Sequence, residues 1–118
     1  MSDTVIHLVH HRATPTMMSE MLQSLGSYVK LAVDVRREVL AGGGELHTDC
    51  EQVLLEDGSR QEDIWGADWL PFSQEVQFEA LINIRPRQNN FSMTIQDHAI
   101  RERVETIVRR LLEGVMPE

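Results

Sequence analysis

From Tyr28 onward hydrophobic and polar residues alternate, with Val29, Leu31, Val33 and Val35 set against Lys30, Ala32, Asp34 and Arg36. A period of two marks a strand with one buried face. Before it, Met17, Met18, Met21, Leu22 and Leu25 recur at helical spacing. Thr14 suits the cap of that helix, Pro15 its first position and Gly26 its left-handed end. The methionine stripe reads as core, with an adaptable binding surface as the other reading. Val5 to Val9 is apolar enough for a brief strand. Gly42-Gly43-Gly44 then breaks the chain. Thr48 and Glu51 have the spacing of a capping box, which predicts a second helix burying Leu46, Cys50, Val53 and Leu54 and stopping at Asp57-Gly58.

The second half begins with a strand carrying Trp65, Ala67 and Trp69 on one face and closed by Pro71. A longer strand is expected from Glu75 to about Arg85, with Val76, Phe78, Ala80, Ile82 and Ile84 on its apolar side. The short link Leu70 to Gln74 makes these two an antiparallel pair. Pro86 and Gln88-Asn89-Asn90 form a turn, and Met93 to Ile95 reads as a last short strand. Asp97 caps the clearest element, a helix with Ile100, Val104, Ile107, Val108, Leu111 and Leu112 on one stripe. Arg101, Glu105 and Arg109 ladder along its outside. The order β-α-β-α-β-β-α predicts a single α+β domain over 1–118. Its sheet is expected to be mainly antiparallel and three- to four-stranded, with three helices packed on one face. The other face would lie open and carry Lys30, Asp34, Arg36, Glu79, Asn83 and Arg85.

Composition narrows the function classes. At 42% hydrophobic and 25% charged the chain is not a disordered one. No apolar run approaches the roughly 20 residues of a membrane span. Met1 to His11 lacks the pattern of a secretory signal, and the lone Cys50 excludes an internal disulfide framework. A cytoplasmic location is therefore expected. The charge is uneven: residues 45–79 hold ten acids against Arg60 alone, whereas 1–44 hold four of each sign. A field of that sign repels phosphate, so nucleic acid and anionic membrane are not expected partners. A basic protein or a cationic ligand is; the alternative is that the acids only solvate a surface.

Polar chemistry is densest at Glu45, His47, Asp49, Cys50 and Glu51, directly after the glycines. His47 and Glu51 are four apart and would share a helix face, a spacing that serves a metal or a surface ion pair. One cysteine builds no thiolate-rich zinc site, and with Thr48 as cap His47 would fall outside the helix. No metal is expected, and Glu45, His47 and Asp49 are the weak candidates. No cofactor is called for. Gly42, Gly43 and Gly44 could cradle a ligand, but no Lys-Ser/Thr follows and acids stand where an anion would sit. A tight connection is the plainer reading. Cys50 lies between two acids on an apolar stripe, which suits a buried thiol better than a nucleophile. On the sheet, Asp68 would share a face with Glu79, Asn83 and Arg85, either as an acid–base pair or as a cross-strand Arg–carboxylate contact.

Four stretches together, YVKLAVDVRREVLAGGGELHTDCE, LLEDGSRQEDIWGADWLP, FEALINIRPRQNN and SMTIQDHAIRERVETIV, resemble a family of short bacterial proteins known as a domain of unknown function, family 5674. The resemblance runs from about Tyr28 to Leu112. It implies a small bacterial domain and brings no activity, cofactor or catalytic residue. Gln88-Asn89-Asn90 departs from it, standing where a glycine is expected in the turn. The expected function is a non-enzymatic binding or interaction module, homodimeric, with an acidic middle third. The other class is a small acid–base or metal-assisted hydrolase. Its catalytic candidates are Glu45, His47 and Asp49 by the glycines, or Asp68 and Glu79 on the sheet. For a module, Gly42, Gly43, Gly44, Asn83 and Arg85 are the ligand-binding candidates.

Overall fold

In a computed structural model that describes residues 4–118, the chain forms one five-stranded antiparallel sheet and three helices, an α+β fold. Strand β1 is His7–Val9, helix α1 Pro15–Met21, β2 Val29–Asp34 and β3 Val39–Gly44. They are followed by α2 His47–Glu56, β4 Ile64–Leu70, β5 Glu75–Gln77 and α3 His98–Leu112. The strand order is β1-β3-β2-β4-β5. Thr14 caps α1 by accepting the Met17 N–H, with Pro15 in the first turn, and Asp97 caps α3 through Ile100, as the sequence predicts.

The fifth strand is the one the glycines hid. Residues 42–44 do not break the chain; they finish β3, paired to β1 on one side and β2 on the other. The pairing with β2 slips between Lys30↔Gly44 and Leu31↔Gly42, so Gly43 is the extra residue of a β-bulge. Its φ is +110°, and a Cβ there would lie 2.2 Å from the Val5 carbonyl oxygen. Glycine is what this position admits.

The helices do not share one face, which corrects the layered arrangement expected. Along β2, Leu31 and Val33 join the core under α1 and α3 with Met18, Met21, Trp65, Trp69, Val104 and Leu111. Ala32, between them, joins Ala41, Ile64, Cys50 and Leu54 under α2. Successive side chains of a strand point to opposite faces, so α2 covers the side expected to be open. Asp34 and Asn83, assigned to that open face, are fully buried.

Helix α2 starts two residues earlier than the capping-box reading allows. Leu46 is its N-cap residue and Asp49 accepts the Leu46 N–H, so His47 lies inside the helix. Leu46 itself is 57% exposed rather than part of the buried stripe. The long strand expected over 75–85 ends at Gln77. Beyond it the chain turns through short 3-10 segments at Leu81–Asn83 and Pro86–Gln88. The strand expected at Met93–Ile95 is reduced to one antiparallel bridge, Glu79↔Thr94. Asn89 takes φ +58°, a left-handed position in the turn where a glycine is expected. Asparagine tolerates it better than other non-glycine residues.

Candidate functional site

The irregular 78–96 segment exists because the edge of β4 outruns β5. Only Asp68, Trp69 and Leu70 have partners on β5. At Gly66 the side chain of Asn83 stands in for a strand: Oδ1 accepts the Gly66 N–H at 2.8 Å and Nδ2 donates to the Gly66 carbonyl at 3.0 Å. The same Nδ2 also reaches the Met93 carbonyl at 3.0 Å. A Cβ on Gly66 would stand 2.5 Å from Ala80 Cβ, so the close approach needs the glycine. Asn90 braces the segment in turn, donating to the Asn83 and Thr94 carbonyls and accepting the Gln96 N–H. Asn83, a ligand-binding candidate by sequence, is spent on the backbone.

Against this segment stands the first half of α2. His47 Nε2 lies 2.8 Å from Asp68 Oδ1 and 3.1 Å from the Ala67 carbonyl oxygen. Both partners are acceptors, so Nε2 carries the hydrogen and donates, which leaves Nδ1 as the ring's other nitrogen. Both side chains are 12% exposed. One turn on, Glu51 shares the His47 side of the helix, as the four-residue spacing requires, but meets Arg85 instead. Glu51 Oε2 and Arg85 Nη2 are 3.6 Å apart, buried, and without a hydrogen-bond partner among the described residues. Burial lowers the Arg85 pKa, and the Glu51 charge offsets part of that. Arg85 is otherwise held by the Ile82 and Gln61 carbonyls, and its guanidinium lies 4.8 Å from the Trp65 ring centroid.

Two clefts flank this line of contacts. One, of about 280 Å³, is lined by Lys30, Leu46, His47, Glu79, Leu81 and Met93. The other, of about 810 Å³, runs past Glu51, Glu62, Ile84, Arg85 and Arg87. Thr48, Leu81 and Ile82 line both. Leu46, Leu81, Ile84 and Met93 are 57%, 71%, 45% and 41% exposed, so large apolar side chains stand along one strip of surface.

The remaining candidates are dispersed. The Glu45 carboxylate accepts the Thr4 hydroxyl, while its backbone carbonyl accepts Lys30 Nζ. Asp49 is occupied as the α2 cap. Gly42, Gly43 and Gly44 are buried, with protein atoms filling the space beside each. Among the described residues no three His, Cys, Asp or Glu side chains gather as metal ligands would. The Cys50 thiol is pushed up to about 11, first by burial and also by Asp49, and donates to the Lys30 carbonyl. That is an inert thiol.

Among the described residues, three of the ten acids of the middle third are paired with arginines from elsewhere in the chain. Glu51 faces Arg85, Asp57 pairs with Arg37 at 2.6 Å, and Asp63 with Arg36 at 2.9 Å. Sequence reasoning missed the His47–Asp68 contact, whose members it put in separate clusters, and the apolar strip. One signal for the strip was present: Leu81 falls among Gln77, Glu79, Asn83 and Arg85 on the polar side of the alternating run.

No curated protein and no solved structure matches the chain. A family model described as a protein of unknown function, DUF5674, matches residues 7–111 of 118, and the chain therefore belongs to that family.

Proposed function

We propose that the protein is a non-enzymatic interaction module that pairs with a second copy of itself across the α2 and 79–88 strip. The observation that carries this reading is the gathering of Leu46, Leu81, Ile84 and Met93, all well exposed, on the walls of two adjoining clefts. Single exposed apolar residues are ordinary on a protein surface, whereas a contiguous group marks a contact site. The rim also suits a two-fold partner. Lys30 and Glu79 border one cleft, and Glu62 and Arg87 the other, so each sign finds its opposite on an identical surface. The earlier expectation of a basic partner draws less support, because three of those acids, Glu51, Asp57 and Asp63, already face arginines.

Sedimentation equilibrium tests the proposal. The expected result is a dimer that Leu81→Asp converts to a monomer that is still folded, with an unchanged circular dichroism spectrum and a melting temperature lowered only by the lost association. A parent chain that stays monomeric across the whole concentration range would sink it. A second reading, a small acid–base enzyme, is favoured by the His47–Asp68 pair with Glu79 lining the same cleft. An imidazole anchored through one nitrogen can take or give a proton at the other.

A further inference from the structure

A third cavity lies on the far side of Asp68, away from the apolar strip. Its volume is about 430 Å³, within the range of small-molecule sites. Around Asp68 it is walled by Ser27, Tyr28, Leu70, Phe72, Ser73 and Gln77. Asp68 is the single charged residue among the lining groups; the rest are hydroxyls, an amide, an aliphatic side chain and the aromatic rings of Tyr28 and Phe72. The carboxylate is held rigidly from behind, since Oδ1 accepts His47 Nε2–H at 2.8 Å. Its Oδ2 has no partner among the described residues. Lys30 is the cross-strand neighbour of Asp68, but its ammonium is drawn to the Glu45 carbonyl at 3.0 Å and it borders the other cleft.

We propose that this cavity binds a small organic ammonium ion with an apolar body. A fixed carboxylate in a cavity with no other lining charge favours a cation, and a charge-assisted N⁺–H···O⁻ bond is the strongest contact these groups can make. One carboxylate is too few for a hard divalent ion, which takes six or more oxygens. The hydroxyls of Ser27 and Ser73 can accept the remaining ammonium hydrogens. Phe72, 60% exposed, presents an aromatic ring to the ligand's cation or apolar body. None of Leu46, Leu81, Ile84 and Met93 lines this cavity, so the proposal stands apart from self-association.

The test is an amide-resolved NMR titration of the full chain with benzylamine, a cation at neutral pH, and with benzyl alcohol, its uncharged counterpart. Benzylamine is expected to shift the Ser27, Tyr28, Ser73 and Gln77 amides saturably, with a Kd of about 1 mM or tighter, and the alcohol to bind at least about tenfold more weakly. Asp68→Asn is expected to weaken benzylamine to the level of the alcohol. Equal affinities for amine and alcohol, or no saturable shift on the unaltered chain, would overturn the proposal. So would a folded Asp68→Asn chain with undiminished affinity. Should that variant fail to fold, the amine–alcohol comparison on the parent decides alone. Self-association is read by sedimentation, so either reading can fail without the other.

Discussion

The two faces of the sheet are built on different principles. Under α1 and α3 the sheet offers large side chains, Leu31, Val33, Leu40, Trp65 and Trp69, and the helices answer with Met18, Met21, Ile107 and Leu111. Under α2 it offers mostly smaller ones, Ala32, Ala41 and Gly66 beside Val39 and Ile64, and the apolar cluster is correspondingly thin. Buried polar side chains make up the difference there. Asp34 accepts Ser59 Oγ–H at 2.6 Å and two backbone N–H groups of its own turn, and Asp68 and Asn83 act as described above. One face is held by area removed from water, the other by specific hydrogen bonds that cost free energy when one member is lost. The two clefts beside α2 and the unpaired Glu51 Oε2 and Arg85 Nη2 border the second face, whereas the first face has a cleft along α3 and a Trp69 Nε1 unpaired among the described residues.

The contrast can be broken by mutation. The largest loss is expected at Leu111, 2% exposed in the first core: Leu111→Ala should cost about 2–5 kcal/mol in urea denaturation. A loss below about 1 kcal/mol would mean that α3 contributes little packing. Next comes Asn83→Ala, which strips both Gly66 backbone groups of their partner. At about 1–2 kcal/mol for each buried group left unpaired, a total near 2–4 kcal/mol is expected. A neutral result would put the second face in the same class as the first. The smallest effect belongs outside the first face, where Arg109 bonds Glu105 and Glu113 at 2.8 Å each along exposed helix surface. Arg109→Ala should cost under about 1 kcal/mol, and a larger loss would show that its place 5.7 Å from the Trp69 ring matters more than its charges.

Legibility followed the same divide. The stripe of α3 and the face of β4 bearing Trp65 and Trp69 could be read directly, because burial of large apolar side chains imposes a period on the sequence. The second face defeated that reading. Small residues and glycines carry no hydrophobic period, so β3 passed for a loop. The apparent alternation after Gln77 belonged to a segment whose apolar residues face several directions. Of the candidate site, the shared side of His47 and Glu51 was legible from helix geometry, but their partners were not.

By itself, then, the sequence determined the α+β class, the N-terminal caps of α1 and α3, the β4–β5 pairing and the inert setting of Cys50, though not the end of α1, which stops at Met21 rather than at Gly26. Each depends on residues within a few positions of one another or on one repeating face. Only the tertiary structure decided that α2 lies opposite the other helices, that Asn83 completes the edge of β4, and that Asp68 meets His47 from twenty-one residues away. Those outcomes depend on which strands become neighbours. Outside a hairpin such as β4–β5, strand adjacency is fixed by the packing of the whole chain, and no local pattern encodes it.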